Sequence, residues 1–189
     1  MKVFSNAGPL MALGKLGQLE LLYRLFGPVG LPTAVYQEVV IRGSQRGYSD
    51  ALLIEMALHR KQLVVLDVIH DDLPSEIASL PLDAGEKEAI YLATRVPNSL
   101  VLLDDLKARE EAKARKLAVK GTIGVMVQAY RNGLVTLDEM GTIFEAIIAS
   151  DDIWIASGLC REVLSRLKSE PRDHRERSDL SFLHFIFHL

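Results

Sequence analysis

Short apolar runs alternate along this chain with longer stretches in which apolar residues recur at helical spacing. The apolar runs lie at Lys2–Ser5, Val29–Leu31, Leu63–Val68, Ser99–Leu103 and Ala118–Lys120. Runs of this length are typical of buried strands, and their alternation with helices is typical of a parallel sheet. The pattern therefore predicts an α/β fold in which helices cover a central parallel sheet.

Helical periodicity and capping residues place helices between these strands. They are predicted at Leu10–Phe26 with breaks near Gly14 and Gly17, at Pro32 to about Ile41, Ala51–Arg60, Ala84–Arg95, Leu106–Leu117, Thr122–Arg131 and Ser157–Leu167. Thr136 and Glu139 have the spacing of a capping box, in which each side chain bonds the backbone N–H of the other residue. This pair predicts the start of one more helix.

The end of the chain has a different composition. Residues 169–189 contain a charge run over Glu170–Arg177 and then the apolar stretch Leu180–Leu189. We therefore predict one domain over residues 1–168, followed by a tail whose charged part is solvated. The apolar end is too short to cross a membrane. It could dock on a partner subunit or on its own core, or it could be a chain end without a role.

Composition narrows the class of protein. The 189 residues are 49% hydrophobic and 25% charged, as in folded globular chains. The net charge of −3 supplies no protein-wide positive field, so a polyanion has to be held by a local patch or through metal ions. The single cysteine, Cys160, excludes an internal disulfide and suits a reducing compartment. With no signal-peptide pattern in view, we expect a cytoplasmic protein without membrane contact.

Two glutamates lie on helix faces that are otherwise apolar. Glu38 shares helical spacing with Val35, and Glu86 follows an apolar row of the helix that begins at residue 84. A carboxylate on such a face is costly to bury unless it is paired or binds a metal. Simpler explanations exist for both, since Arg42 could pair with Glu38, and Asp83 with Glu86 resembles a capping box.

Acidic residues also follow the most apolar strand. Asp104 and Asp105 come directly after it, and Asn6 occupies the matching place after the first strand. Ligands of open parallel sheets bind outside the carboxyl ends of the strands, although either aspartate could simply cap the next helix. Together with Glu38 and Glu86, these residues could form one oxygen-lined site for Mg²⁺ or Mn²⁺. Such a site polarises a phosphate and activates water for attack on a phosphodiester.

At these residues the sequence resembles the PIN-domain family, in the group related to VapC-type toxin ribonucleases. It is similar to a branch whose members open with Ser-Asp/Asn-Thr-Ser-Pro-Leu. The matching segments are Ser5-Asn6-Ala7-Gly8-Pro9-Leu10, Ala12–Gly17, Pro32–Val39, Leu82–Ile90, Leu102–Arg109 and Gly121–Val125. The likeness runs in the expected order from Met1 to about Leu167, so it covers nearly all of the predicted domain.

The resemblance implies a PIN-like, Rossmann-like parallel sheet with helices on both faces, and a metal-dependent nuclease that acts on RNA. It also implies a homodimer and, for toxin members, an antitoxin protein that holds them inactive. Carried over by position, the metal-binding and catalytic acids of the family fall on Glu38, Glu86, Asp104 and Asp105, with Asn6 as a neutral ligand. Of the two aspartates, Asp105 is expected to make the more direct contact.

Basic residues after the aspartate pair are candidates for binding the substrate. Arg109, Lys113 and Lys116 recur at helical spacing and could steer RNA phosphates toward the acids. A solvated helix with a Glu111–Arg115 ion pair explains the same residues equally well. Thr122 opens the next helix, where backbone N–H groups could hold a phosphate, or it could simply cap that helix.

The sequence leaves two functions open. The first is a divalent-metal endoribonuclease, as the toxin of a toxin–antitoxin pair or a descendant of one. The second is a catalytically weakened PIN-like module that binds RNA or a protein partner without cleavage. Asn6, Ala7 and Gly8 favour the second, because the resemblance places Asn6 where many active members have aspartate and Ala7-Gly8 where the motif has Thr-Ser. The loss of a negative ligand weakens cation binding.

Overall fold

A computed structural model describes residues 1–69 and 72–169. Its sheet has five strands: β1 Val3–Ser5, β2 Val29–Pro32, β3 Leu63–Leu66, β4 Leu100–Leu102 and β5 Ala118–Lys120. All neighbouring strands are parallel, in the order β3-β2-β1-β4-β5. Each of the predicted strands is present within two residues of its predicted ends, and the α/β class is confirmed.

The helices occupy the segments between and after the strands. They are α1 Ala7–Lys15, α2 Glu20–Phe26, α3 Thr33–Tyr36, a π-helical segment Gln37–Arg42, α4 Gly43–Gln45, α5 Ser49–His59, α6 Ser75–Ala78, α7 Ala84–Thr94, α8 Leu106–Ala114, α9 Thr122–Arg131, α10 Leu137–Ala149 and α11 Ser157–Ser169. The turn α6 and the π-helical segment are absent from the predictions. A π-helical turn depends on hydrogen bonds that leave no periodic trace in a short sequence.

The helical segment that begins at Thr33 continues past its predicted end at about Ile41 and through Gly43. The helical segment continues through α4, because Gly43 serves close packing rather than a turn. A Cβ at this position would lie 2.9 Å from the Cβ of Ala51, so only glycine lets the two helices approach. The chain breaks instead at Gly47, whose φ of +72° is the left-handed conformation that glycine adopts readily.

The three central strands, β1, β2 and β4, are buried on both faces, as strands of parallel sheets are, and the edge strands β3 and β5 are partly exposed. Phe4 and Val101 pack on one face in a cluster with Ile90 of α7 and Ala112 of α8. Side chains alternate along each strand, so the neighbours of Phe4 and Val101 point to the opposite face. Leu102 is fully buried there. The near-continuous apolar character of the strands follows from this double burial.

The contacts divide the chain into two compact units, one over Met1–Thr122 and one that begins at Ile123. In the second unit α10 packs against α11, and the predicted capping box of Thr136 and Glu139 is present at the start of α10. Cys160 is fully buried on α11. Among the described residues, none of the helices is long and apolar enough to cross a membrane. The tail from residue 170 lies outside the described residues, so the predicted boundary after residue 168 stays a prediction.

Candidate active site

The strand order places a crevice at the carboxyl ends of β1 and β4. From β1 the chain builds the sheet outward through β2 and β3, and then returns to the other side of β1 with β4. Such a reversal of order opens a crevice where open α/β sheets bind ligands. The two strand ends are joined there, since the backbone N–H of Asn6 donates to the carbonyl of Leu102 at 3.0 Å. Asn6, Asp104 and Asp105 therefore follow neighbouring strands.

Asn6 is buried at this crevice and holds one atom without a partner. Its side chain is 6% exposed, and its Nδ2 donates to Glu86 Oε1 at 3.5 Å. Its Oδ1 is buried and accepts no hydrogen bond. The start of α7 lies close to it, because a Cβ on Gly85 would come within 2.9 Å of Asn6 Oδ1. A buried acceptor without a donor is costly, so it marks a place where a ligand would be favourable.

Glu86 combines the two interpretations that its sequence allowed. The capping box is present, with the Glu86 N–H donating to Asp83 Oδ1 at 2.8 Å and the Asp83 N–H donating to Glu86 Oε2 at 3.2 Å. The other carboxylate oxygen, Oε1, faces Asn6 across the crevice. Glu86 is only 6% exposed. One side chain therefore caps α7 and also borders the candidate site.

The electrostatics of Glu86 show which acids surround it. Burial first, and then the nearby carboxylates of Asp83, Asp105 and Glu38, raise its pKa from 4.5 to about 7, against a lowering by the backbone N–H of Asp83. Two other parts of the chain therefore carry carboxylates close enough to Glu86 to shift its pKa. Of the predicted acids, Glu38 and Asp105 act on Glu86 in this way.

Glu38 lies on the π-helical segment and is partly buried. Burial raises its pKa, Asp83 raises it further, and the guanidinium of Arg42 lowers it. Arg42 is thus a neighbour of Glu38, as the simpler explanation of this residue expected. The combined effect of burial and Asp83 is larger than that of Arg42, so the pKa of Glu38 stays raised.

The two aspartates that follow β4 make different hydrogen bonds. Asp104 accepts two hydrogen bonds from Thr122, one from the backbone N–H to Oδ1 and one from the hydroxyl to Oδ2, both at 2.7 Å. Burial raises the pKa of Asp104 against these bonds and the charge of Arg109. Asp105 is exposed, and its Oδ1 caps α8 by accepting from the Ala108 N–H at 2.9 Å. Asp104 is therefore held in one orientation, and Asp105 keeps Oδ2 available.

The predicted substrate-binding residues need correction. Arg109 is only 6% exposed, and burial lowers its pKa, so it serves Asp104 rather than a surface phosphate. Thr122 is fully buried, and Asp104 already takes its N–H and its hydroxyl. Lys116 lies beyond the end of α8 with a φ of +61°, off the helical row. Of the four predicted residues, Lys113 is the one that lies within α8 and is exposed.

The remaining features of α8 match a solvated helix. Arg115 Nη1 lies 2.7 Å from Glu111 Oε2, which is the predicted ion pair one turn apart. Exposed pairs of this kind contribute little to stability, about 0.3–0.5 kcal/mol. The helix is therefore built chiefly by its buried alanines, Ala108 and Ala112.

Sequence reasoning missed two acids near the site. Asp83 was recognised as a cap only, although its charge acts on both Glu38 and Glu86. Glu88 is 7% exposed, and its Oε2 accepts from the backbone N–H of Ala34 in the first turn of α3 at 3.0 Å. Glu88 thereby ties α7 to the helical segment that carries Glu38. The dense run of acids over Asp83–Glu88 was the available signal for both.

The chemistry of these donors suits a hard divalent cation. Within residues 1–69 and 72–169, no group of three or more His, Cys, Asp or Glu side chains is arranged so that it could hold a metal ion. The donors at the crevice are nevertheless oxygens, which Mg²⁺ and Mn²⁺ prefer. A cation would give the unpartnered Asn6 Oδ1 a contact and would offset the repulsion that raises the pKa of Glu86. The chemistry of these oxygens therefore fits such a cation, whereas the carboxylates of these residues do not converge on one point in this structure.

The comparisons with known proteins agree with this class of fold. A family model described as PIN domain matches residues 2–169. The chain belongs to this PIN-domain family, a family with a nuclease-type function. No curated protein and no solved structure matches the chain.

Glu86 makes the metal-free stability depend on pH. Its pKa is about 7 in the folded chain against 4.5 ordinarily, so the unfolded chain loses this proton first as the pH rises. The free energy of unfolding therefore falls between about pH 4.5 and 7, by at most about 3 kcal/mol, and levels off above. Glu86→Gln removes this slope and keeps the capping box. We expect urea denaturation in EDTA to show that the free energy of unfolding of the variant, relative to that of the wild type, rises from pH 5 to pH 8, roughly the titration window. A relative free energy of unfolding that stays constant over this range contradicts the raised pKa.

Proposed function

We propose that the protein is a divalent-cation-dependent endoribonuclease, acting as the toxin of a toxin–antitoxin pair or descended from one. Mg²⁺ or Mn²⁺ is the proposed cofactor, and RNA is the proposed substrate. In line with the family resemblance, the proposal includes a homodimer, an antitoxin partner and a cytoplasmic location. One observation carries it: the crevice between β1 and β4 holds the unpartnered Asn6 Oδ1 beside the carboxylate of Glu86, whose pKa is raised by burial and by neighbouring carboxylates.

The proposed site divides its tasks among these residues. Glu38, Glu86 and Asp105 supply carboxylate oxygens, and Asn6 Oδ1 supplies a neutral ligand. Asp104 contributes a carboxylate whose orientation is already set by two hydrogen bonds from Thr122. A divalent cation bound there would polarise the scissile phosphate and lower the pKa of an attacking water.

The surrounding residues keep this arrangement in place. Glu88 holds the first turn of α3 against α7, which sets the position of the segment that carries Glu38. Gly121 leaves room for Asp104, because a Cβ there would lie 2.8 Å from Asp104 Oδ1 and 3.0 Å from Arg109 Nη1. Arg109 supplies a buried positive charge beside Asp104 and keeps that carboxylate from being isolated.

The second candidate is a weakened module that binds RNA or a protein without cleaving. Asn6 provides no charge where an aspartate would, and Gly8 provides no hydroxyl. A Cβ on Gly8 would lie 3.4 Å from Asp104 Oδ2, so a serine at this position would contact that carboxylate. The chain therefore lacks both a ligand charge and a side chain that could support Asp104.

Metal titration and RNA cleavage, measured on the same preparation, test the proposal. We expect calorimetry to show Mn²⁺ binding in the micromolar to millimolar range, since Asn6 removes one negative ligand, roughly as for weak sites of low ligand charge. We also expect Mn²⁺ or Mg²⁺ to support cleavage of single-stranded RNA, and EDTA to abolish it. Metal binding without cleavage would favour the weakened module. Neither binding nor cleavage would overturn the nuclease proposal.

A further inference from the structure

A cavity of about 340 Å³ adjoins the acid cluster on the side of the π-helical segment. Glu38 and Asp83 line it, and both also act on the cluster around Glu86. Arg42, Arg46 and Tyr48 line it as well. The cavity volume is at the lower end of the range typical for small-ligand sites, about 300–1,000 Å³. A molecule bound in this cavity would therefore lie beside the proposed catalytic acids.

The basic and aromatic residues of the cavity come from the end of the helical segment and the loop after it. Arg42 and Arg46 are one turn apart, and the N–H of Arg46 donates to the carbonyl of Arg42 at 3.2 Å. The Tyr48 N–H donates to the carbonyl of Gly43 at 3.0 Å, which fixes the loop across Gly47. Both arginines are exposed, and Tyr48 is 46% exposed. An exposed aromatic ring beside two guanidinium groups is the combination that binds an unpaired base and its phosphates.

Both acidic and basic side chains line the cavity. The acids Glu38 and Asp83 belong to the cluster that a divalent cation would neutralise. Arg42 lies near Glu38, whose pKa it lowers, and both Arg42 and Arg46 are exposed. Asp50 also lines the cavity, but it is 3% exposed and lies in the first turn of α5, where the helix dipole favours its charge. A phosphate is therefore best accommodated near the arginines.

We propose that this cavity binds one nucleotide of a single-stranded RNA next to the scissile phosphate. Arg42 and Arg46 bind its phosphates, and Tyr48 stacks on its base. This inference rests on the proposed nuclease function and assigns three residues outside the predicted site to substrate binding. A paired base cannot leave its duplex to stack on Tyr48 without an energetic cost, so duplex RNA gains less from the cavity.

Binding of a short fluorescent RNA in EDTA tests this inference without any cleavage. Arg42→Gln and Arg46→Gln are compared with Arg24→Gln, which removes the same charge from an exposed site outside the cavity. Tyr48→Ala is compared with Tyr23→Ala, because Tyr23 is 43% exposed and outside the cavity too. We expect each cavity variant to weaken binding of a single strand about fivefold or more, and the controls to change it less than about twofold.

Two further measurements distinguish the loss of stacking or phosphate contacts from a general effect on folding. Each arginine variant lowers the slope of log affinity against log salt by about 0.7, as expected for one lost phosphate contact to a single strand. Tyr48→Phe keeps near wild-type affinity, and Tyr48→Ala leaves binding of duplex RNA unchanged. Cavity variants that behave like their controls overturn the inference, and so does a wild-type protein that binds no single-stranded RNA.

Cleavage assays with Mn²⁺ distinguish this inference from the proposed function. If the wild type cleaves RNA and the cavity variants match the controls, the nuclease proposal stands and the nucleotide cavity is wrong. If the wild type binds RNA through the cavity but cleaves none with any divalent cation, the cavity stands and the nuclease proposal falls. If both hold, we expect the cavity variants to raise KM about fivefold or more while kcat stays within about twofold, because the lost contacts hold the nucleotide equally in the ground state and in the transition state.

Discussion

Asn6→Asp is expected to tighten Mn²⁺ binding by about tenfold or more, because it adds a negative charge to the oxygens around one cation. The same change is expected to destabilise the metal-free chain. Asn6 Nδ2 now donates to Glu86 Oε1 at 3.5 Å, and an aspartate would set a second carboxylate against that oxygen. Two carboxylates this close cannot both be ionised without a large penalty, so the pKa of the pair rises further.

Calorimetry and thermal unfolding, each with Mn²⁺ and with EDTA, measure the two effects. We expect a lower Tm than wild type in EDTA and a larger rise in Tm on adding Mn²⁺. Asn98→Asp is the matched control, because Asn98 is exposed before β4 and its φ of +55° is tolerated by aspartate. An unchanged Mn²⁺ affinity in Asn6→Asp would indicate that Asn6 is not a ligand. A new cleavage activity, absent in wild type, would support the weakened module.

Asp105→Asn is expected to abolish cation-dependent RNA cleavage while leaving stability within about 0.5 kcal/mol of wild type. Asparagine is as good an N-cap as aspartate, so the hydrogen bond from Ala108 N–H is kept. The lost property is the charge that acts on Glu86. Cleavage by the variant at the wild-type rate contradicts the role proposed for Asp105.

Asp104→Asn serves as the neighbouring comparison and is expected to affect both properties. Its carboxylate accepts the Thr122 N–H and hydroxyl, and it lies beside buried Arg109. Removing its charge leaves that guanidinium without a compensating anion, at a cost on the order of 2 kcal/mol or more. Urea denaturation at pH 7, about the pH of the proposed activity, compares the variants. Equal stability of Asp104→Asn and Asp105→Asn would show that Asp104 is not held as described.

Arg109 shows that helical spacing alone does not determine which side of a helix is buried. Arg109 shares the three-residue spacing of Ala112, and both are buried on α8. The sequence indicated a row of basic residues, because Arg109, Lys113 and Lys116 are also spaced three or four apart. Whether Arg109 lies in the buried row with Ala112 or in the basic row depends on Asp104. Asp104 comes from the end of another element and supplies the charge that Arg109 needs when it is buried.

The double role of Glu86 was only half available from local sequence. The capping box with Asp83 spans three residues, and local spacing is enough to predict it. The contact with Asn6 joins residues that are 80 positions apart. No local pattern determines that distance, because it follows from β1 and β4 being neighbours and from α7 packing close enough for Gly85 to approach Asn6.

By itself the sequence determined where the strands and most helices lie, because burial on both faces and backbone capping leave local signals in a chain. It also determined that oxygen-bearing side chains follow β1 and β4. Only the tertiary structure decided that Asp104 is held by Thr122 while Asp105 stays exposed, that Arg109 is buried, and that Asn6 Oδ1 lacks a partner. These outcomes depend on which distant groups arrive at the same point, and the free energy of a charge or a hydrogen bond there is set by those neighbours.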